Sequence, residues 1–244
     1  MRLRECSPLI LILLTVSLQA QASEWYPIDT GRFWVYSSPG GGSQSATVEA
    51  PESFAGSIVQ PLRWDGGVSE YLSQDGAGRV FHHGLTYPDG GYVVNDPPTL
   101  VMDSELTLGH EWEASHDVIE YSPDGVEVFR LWERWTYRVI DIGPVDVPAG
   151  TFDTAEVLIT VEREPLARAA FPSGASLLSS APQGASLGQS LFYTLRNTYA
   201  EGIGWILRTD ENGTSVLFEL EAYGGGPVPT EATTWGAVKS LYKN

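Results

Sequence analysis

Beyond residue 25, apolar and polar residues alternate with a period of two, which predicts strands carrying one dry face. The clearest run sets Ala155, Val157, Ile159 and Val161 against Glu156, Leu158, Thr160 and Glu162. It follows Pro148-Ala149-Gly150, whose chemistry predicts a hairpin tip. Pro148 holds the φ wanted at the second position of a type I turn, and Gly150 accepts the positive φ that ends a three-residue hairpin with a bulge. Val147 and Thr151 are then expected to face each other as the closing pair. The same tip grammar recurs at Tyr87-Pro-Asp-Gly-Gly91 and Ser122-Pro-Asp-Gly-Val126. Three copies of one turn predict an all-β antiparallel meander.

Further alternating runs cover residues 46–50, 57–64, 68–73, 79–83, 92–94 and 117–121, with glycine-rich turns at 40–42, 65–67 and 74–78. Asn95-Asp-Pro-Pro98 is expected to end a run, because two prolines remove two ladder donors. The longest strand is expected over 126–142. One parity holds Phe129, Leu131, Glu133, Trp135, Tyr137 and Val139 and reads as the core side, with Glu133 its odd member. The other holds Arg130, Trp132, Arg134 and Arg138. Cross-strand pairing with acids such as Glu156 and Glu162 is the ordinary use of such a ladder. If it lined a concavity, the same residues would form a floor for an anionic or sugar ligand.

Residues 165–190, rich in Ala, Ser, Gly and Pro, interrupt the pattern and are expected to be a mobile loop. Its apolar members, Phe171 among them, would suit a lid over an apolar cleft. Runs at 191–199, 203–209 and 215–223 complete the sheet. A Gly/Pro linker at 224–232 then leads to 233–244, where Trp235, Val238 and Tyr242 fall on one face of a short amphipathic helix. That tail could dock on the sheet or serve sorting by a surface partner.

At the other end, Arg2 and Arg4 precede an apolar run from Pro8 to Leu18 and an Ala20-Gln21-Ala22 box, the layout of a signal peptide over 1–22. The apolar run is too short for a bilayer anchor. Removing it takes away Arg2, Arg4 and Glu5, shifting the net charge from -17 to -18, and takes away the single cysteine, Cys6. The expected mature chain is exported, to the periplasm, surface or medium, with one β domain over 23–223. It would have no disulfide, thiolate metal site or cysteine nucleophile. Its negative charge disfavours nucleic acid and anionic membrane as partners.

Three segments carry a resemblance. Trp25-Tyr-Pro-Ile-Asp-Thr-Gly-Arg-Phe-Trp-Val-Tyr36, Val145-Asp-Val-Pro-Ala-Gly-Thr-Phe152 and Tyr199-Ala-Glu-Gly-Ile-Gly-Trp205 resemble, in this order, landmarks of a loose group of exported bacterial β-proteins without an assigned activity. Ile28 and Ile203 stand where that group usually has Leu and Val. The resemblance implies a curved sheet or incomplete barrel, LolA-like or lipocalin-like, and supplies no catalytic residues.

Motifs for nucleophilic, phosphate, zinc or calcium chemistry are absent from the sequence, and no cofactor or metal is expected. His82 and His83 alternate faces on a strand, so they cannot share one ion. His110 and His116 would share a face but lie about 20 Å apart at roughly 3.3 Å per residue. A His–carboxylate site assembled across strands stays open. The leading expectation is a non-catalytic exported protein binding a lipid-like or other small amphipathic ligand, with Arg130, Trp132, Arg134, Arg138 and Phe171 as candidate contacts. The alternatives are a surface-displayed module tethered by its tail and, third, a glycan-acting hydrolase.

Overall fold

The computed structural model describes residues 25–167 and 191–225. The leader 1–22, the tail 233–244 with its expected helix, and Phe171 lie outside the described residues. Thirteen strands are present among those described: β1 Phe33–Ser38, β2 Gly42–Val48, β3 Glu52–Phe54, β4 Ser57–Trp64, β5 Ser69–Gln74, β6 Val80–Thr86 and β7 Tyr92–Met102, then β8 Glu111–Tyr121, β9 Glu127–Val147, β10 Gly150–Ala167, β11 Leu191–Ala200, β12 Gly204–Asp210 and β13 Val216–Gly224. Residues 165–167 therefore extend β10 instead of opening a loop.

From β4 to β13 each strand pairs antiparallel with the next. The expected open or incomplete barrel is corrected here, because both edges are used. β1 pairs with β13, from Phe33↔Gly224 to Ser37↔Glu219. β2 pairs with β4 through Ala46↔Trp64, Thr47↔Arg63 and Val48↔Leu62. β3 continues the line of β2, pairing with the first residues of β4 after a break at Glu49–Pro51. The result is a closed barrel of twelve staves. Closure satisfies the N–H and C=O rows that an edge would leave bare.

The turns follow residue chemistry with one correction. Tyr87 N–H donates to Gly91 O and Gly90 N–H to Tyr87 O, and Ser122 with Val126 and Gly125 repeats this, so both Pro-Asp-Gly tips are three-residue hairpins. At Pro148-Ala149 the closing pair is instead Val147↔Gly150, and Thr151 faces Asp146. That tip is drawn aside because Ala149 N–H donates to Leu220 O in the barrel wall. β7 also departs from expectation by running through Pro97 and Pro98. Its register to β6 jumps from Val94↔Gly84 to Thr99↔His82, and its pairing with β8 runs from Tyr92↔Tyr121 to Asp96↔Asp117. The prolines thus sit in a bulge, where no ladder donor is required.

One end of the barrel is filled. Val80, Met102, Trp112, Val139, Val157, Ile206 and Leu220 are buried at the end reached by the β5–β6, β7–β8 and β11–β12 connections. The β9–β10 hairpin runs past its neighbours, since β8 pairing stops at Glu111↔Arg138 and β11 pairing at Thr154↔Ala200. Its Val145, Val147, Ala149 and Phe152 pack on that core, so the hairpin forms a floor. Among the described residues, the turns at 39–41, 65–68, 87–91, 122–126 and 211–215 lie at the opposite end, the mouth.

Gly84, at φ 143, leaves no room for a side chain: an added Cβ would lie 2.0 Å from Val93 O. Gly84→Ala is expected to lower stability by about 3 kcal/mol, read from urea unfolding, because both the backbone clash and the left-handed φ oppose it.

Candidate ligand-binding cavity

Above the floor lies a cavity of about 710 Å³. Its wall changes character with depth in the same way on four consecutive strands. Leu85 on β6, Val93 on β7, Val118 on β8, and Phe129 and Leu131 on β9 form a mostly apolar collar just inside the mouth, with the buried Glu120 of β8 set between Val93 and Phe129. Deeper on the same strands come His82, Asn95 and Thr99, His116 and Glu133. Five residues separate His116 from the end of β8 at Tyr121, roughly 16 Å along the strand at about 3.3 Å per residue. Period-two alternation produces this layering, since every second residue of each stave faces inward.

Glu133 is the hub of the deep polar belt and only 4% exposed. Register places His116 opposite it on β8 and Arg163 opposite it on β10. Its Oε2 lies 3.5 Å from His116 Nε2 and accepts from Trp135 Nε1 at 2.6 Å, while Oε1 accepts from Arg163 Nε. Burial alone would push this carboxyl up. The His116 hydrogen bond, the Arg163 charge and the Trp135 N–H outweigh it and hold Glu133 below the ordinary value. Arg163 also donates to Tyr193 Oη at 3.1 Å and sits over that ring.

His82 is fixed in a different way. Asn95 Nδ2 lies 3.0 Å from His82 Nδ1 and 3.2 Å from His82 O. A backbone carbonyl can only accept, so the Asn95 group facing it is the NH₂, and His82 Nδ1 accepts from the same group. Burial lowers the His82 pKa, so the ring is neutral and carries its proton on Nε2. Among the described residues six buried side-chain atoms lack a partner, and four of them line this cavity: His82 Nε2, Thr99 Oγ1, His116 Nδ1 and Tyr137 Oη. Buried polar groups are rarely left unpaired. Their concentration in one cavity marks a place built to meet polar atoms.

The facing wall is aromatic. Trp64 and Trp205 line it, and Tyr36 packs behind them, its ring centroid 4.8 Å from that of Trp205. Glu70 accepts from Trp64 Nε1 at 2.9 Å, and Arg208 lies 4.3 Å over the Trp205 ring while donating to Asn197 Oδ1.

No protein-family model and no curated protein matches this chain. Two crystal structures are similar in outline. A candidate lipoprotein from Parabacteroides distasonis aligns over 83% of this chain and 99% of its own, at 14% identity and TM-score 0.40. A candidate exported protein with a YmcC-like fold from Bacteroides fragilis aligns over 84% and 100%, at 13% identity and TM-score 0.44.

The arginine ladder does not line this space. Arg130, Trp132, Arg134 and Arg138 lie on the opposite parity from Phe129, Leu131, Glu133, Trp135 and Tyr137, which face the cavity. Arg130 pairs with Asp117 and Glu127, Arg134 with Glu162, and Arg138 with Glu111. Glu156 is taken by Arg196 instead. The condition for a ligand floor made of the ladder is therefore not met, and Trp132 stands beside Arg134 on the outer wall. His82 and His83 do face opposite ways, His82 inward and His83 toward Ser73 Oγ at 2.8 Å. His110, paired with Asp103, precedes β8 and stays apart from His116. The residues missed as site members are His82, Thr99, His116, Glu133 and Arg163. Only Glu133 was visible beforehand, as a carboxylate among core-facing aromatics.

No group of three or more His, Cys, Asp or Glu among the described residues could hold a metal ion. Glu133 instead makes a stability signature. Its depressed pKa contributes stability that is complete above the ordinary glutamate value of 4.5 and is lost as pH falls through the lower folded value. Glu133→Gln is expected to cost about 3 kcal/mol at neutral pH. The difference from the unsubstituted protein should shrink in acid, as read by urea unfolding across pH.

Proposed function

We propose that this protein is an exported, non-catalytic carrier or receptor that holds a small amphipathic organic molecule inside its barrel. The carrying observation is a cavity of about 710 Å³ that combines an apolar collar, an aromatic wall and four unpartnered buried polar atoms. That volume falls in the ordinary range for small-molecule sites, which are mostly apolar with a few placed polar groups. Export rests on the leader pattern over 1–22 and on the resemblance of the three landmark segments to exported β-proteins. The outer wall carries ion pairs such as Arg63 with Glu49 and Glu52, unlike the apolar band of a lipid-embedded barrel.

One observation favours a second reading, a hydrolase. His116 turns Nε2 to Glu133 and leaves Nδ1 facing the cavity, the arrangement of an oriented general base. Turnover of chromogenic ester or glycoside substrates that disappears in His116→Ala would establish that reading over the first.

The binding reading predicts that native mass spectrometry of the exported protein finds a co-purified adduct of small-molecule mass. Val118→Trp, which fills the collar, should remove the adduct while leaving the fold intact by circular dichroism. Bare protein from every preparation, with no uptake of added amphiphiles, would count against it.

A further inference from the structure

We propose that the ligand lies head-inward, with an uncharged hydroxyl or carboxamide group against the deep polar belt and its apolar body in the collar; this rests on the binding reading above. The first part follows from layering. A lipid carrier that shelters only a tail would be apolar at depth and polar at its rim. Here the order on β6 to β9 is largely reversed, with Leu85, Val93, Val118 and Phe129 nearer the mouth than His82, Thr99, His116 and Glu133, and Glu120 the one carboxylate set among the upper group. A neutral polar group beside the collar would meet that carboxylate, whereas the belt below offers several unpartnered atoms.

The second part follows from what the belt still has to give. Its one carboxylate, Glu133, already takes hydrogen bonds from Arg163 and Trp135 and faces His116 Nε2. Its one guanidinium, Arg163, is engaged by Glu133 and Tyr193. A cation would therefore find no open carboxylate there, and an anion no open guanidinium. What remains is a set of unpartnered polar atoms. His82 Nε2–H is a donor, because Nδ1 accepts from Asn95. His116 turns Nε2 to Glu133 and keeps Nδ1 without a partner. Thr99 and Tyr137 hydroxyls can do either, and burial raises the Tyr137 pKa so that its proton stays on. A fixed donor beside hydroxyls that can donate or accept matches a group that does both. Charges that could select otherwise stand outside the belt: Arg208 on β12 and Glu70 on β5 on the aromatic wall, Glu120 on β8 beside the collar, and Asp65 at the mouth.

Three probes with one apolar body separate these cases: monolaurin, laurate and dodecylammonium. Each is titrated below its aggregation concentration into the full-length protein, with tryptophan fluorescence as the readout, since Trp64, Trp135 and Trp205 line the cavity. Monolaurin is expected to bind at least about tenfold more tightly than either ion. Thr99→Val and His82→Phe should each weaken monolaurin about tenfold, Thr99→Ser should keep most of the affinity, and Arg134→Gln, on the outer wall, should leave it unchanged. Tightest binding of laurate, lost in Arg208→Gln, would overturn the proposal in favour of an anionic head. Tightest binding of dodecylammonium would overturn it in favour of a cationic head at Glu70 or Glu120. Equal binding of all three, untouched by the belt variants, would overturn head-inward seating while leaving the cavity as a binding site. If none of the three enters the unsubstituted protein, the binding reading itself falls.

Discussion

Closure of the sheet is the constraint on which the remaining features depend. A twelve-stave antiparallel ring has an inside, and period-two alternation then assigns every residue of every stave to that inside or to solvent. A slip of β9 by one residue would turn Glu133 outward and bring Arg130, Arg134 and Arg138 into the core. The register is held by residues with no freedom to move, among them Val48 and Leu62 across one join and Trp34, whose indole donates to Ile203 O at 2.7 Å. Correct pairing of β1 with β13 is therefore a condition for the cavity as much as for the fold.

Within that ring, the polar belt sets a local energetic problem. Three ionisable groups from three adjacent staves meet where water has little access, and removing two charges from water costs more than their attraction returns unless every lone pair is met. Glu133 meets that requirement on both oxygens. His82, Thr99, His116 and Tyr137 do not, each keeping one atom without a partner in a region that is otherwise well satisfied. Burying such atoms opposes folding. Their retention in the wall of a cavity is easiest to understand as a cost offset when the cavity is occupied.

Much of the local architecture was legible from the chain. The Pro-Asp-Gly tips, the strand over 57–64, and the buried set Ala155, Val157, Ile159 and Val161 follow from residue chemistry and parity alone. The side of β9 that faces inward was legible too, and Glu133 already stood out on it. What could not be read was anything depending on partners distant in sequence. Phe33 and Gly224 are neighbours only after the ring closes. Arg163 and His116 acquire meaning only through their registers to Glu133. The proline pair in β7 misled for the opposite reason: the local rule holds for a regular ladder, but a bulge removes the demand for donors. The histidines could be tested only as pairs close along one strand, and no spacing along the chain brings His82 and His116 into one chamber.

The β9–β10 hairpin, drawn under the barrel by the bond from Ala149 to Leu220, turns a tube into a blind well. A tube can pass cargo through, with one molecule entering as another leaves. A dead-end chamber forces arrivals and departures through the same aperture, so a resident must vacate before its successor can settle. Exchange then follows the residence time of whatever is inside, and competing molecules in the surroundings cannot hasten eviction by pushing from behind.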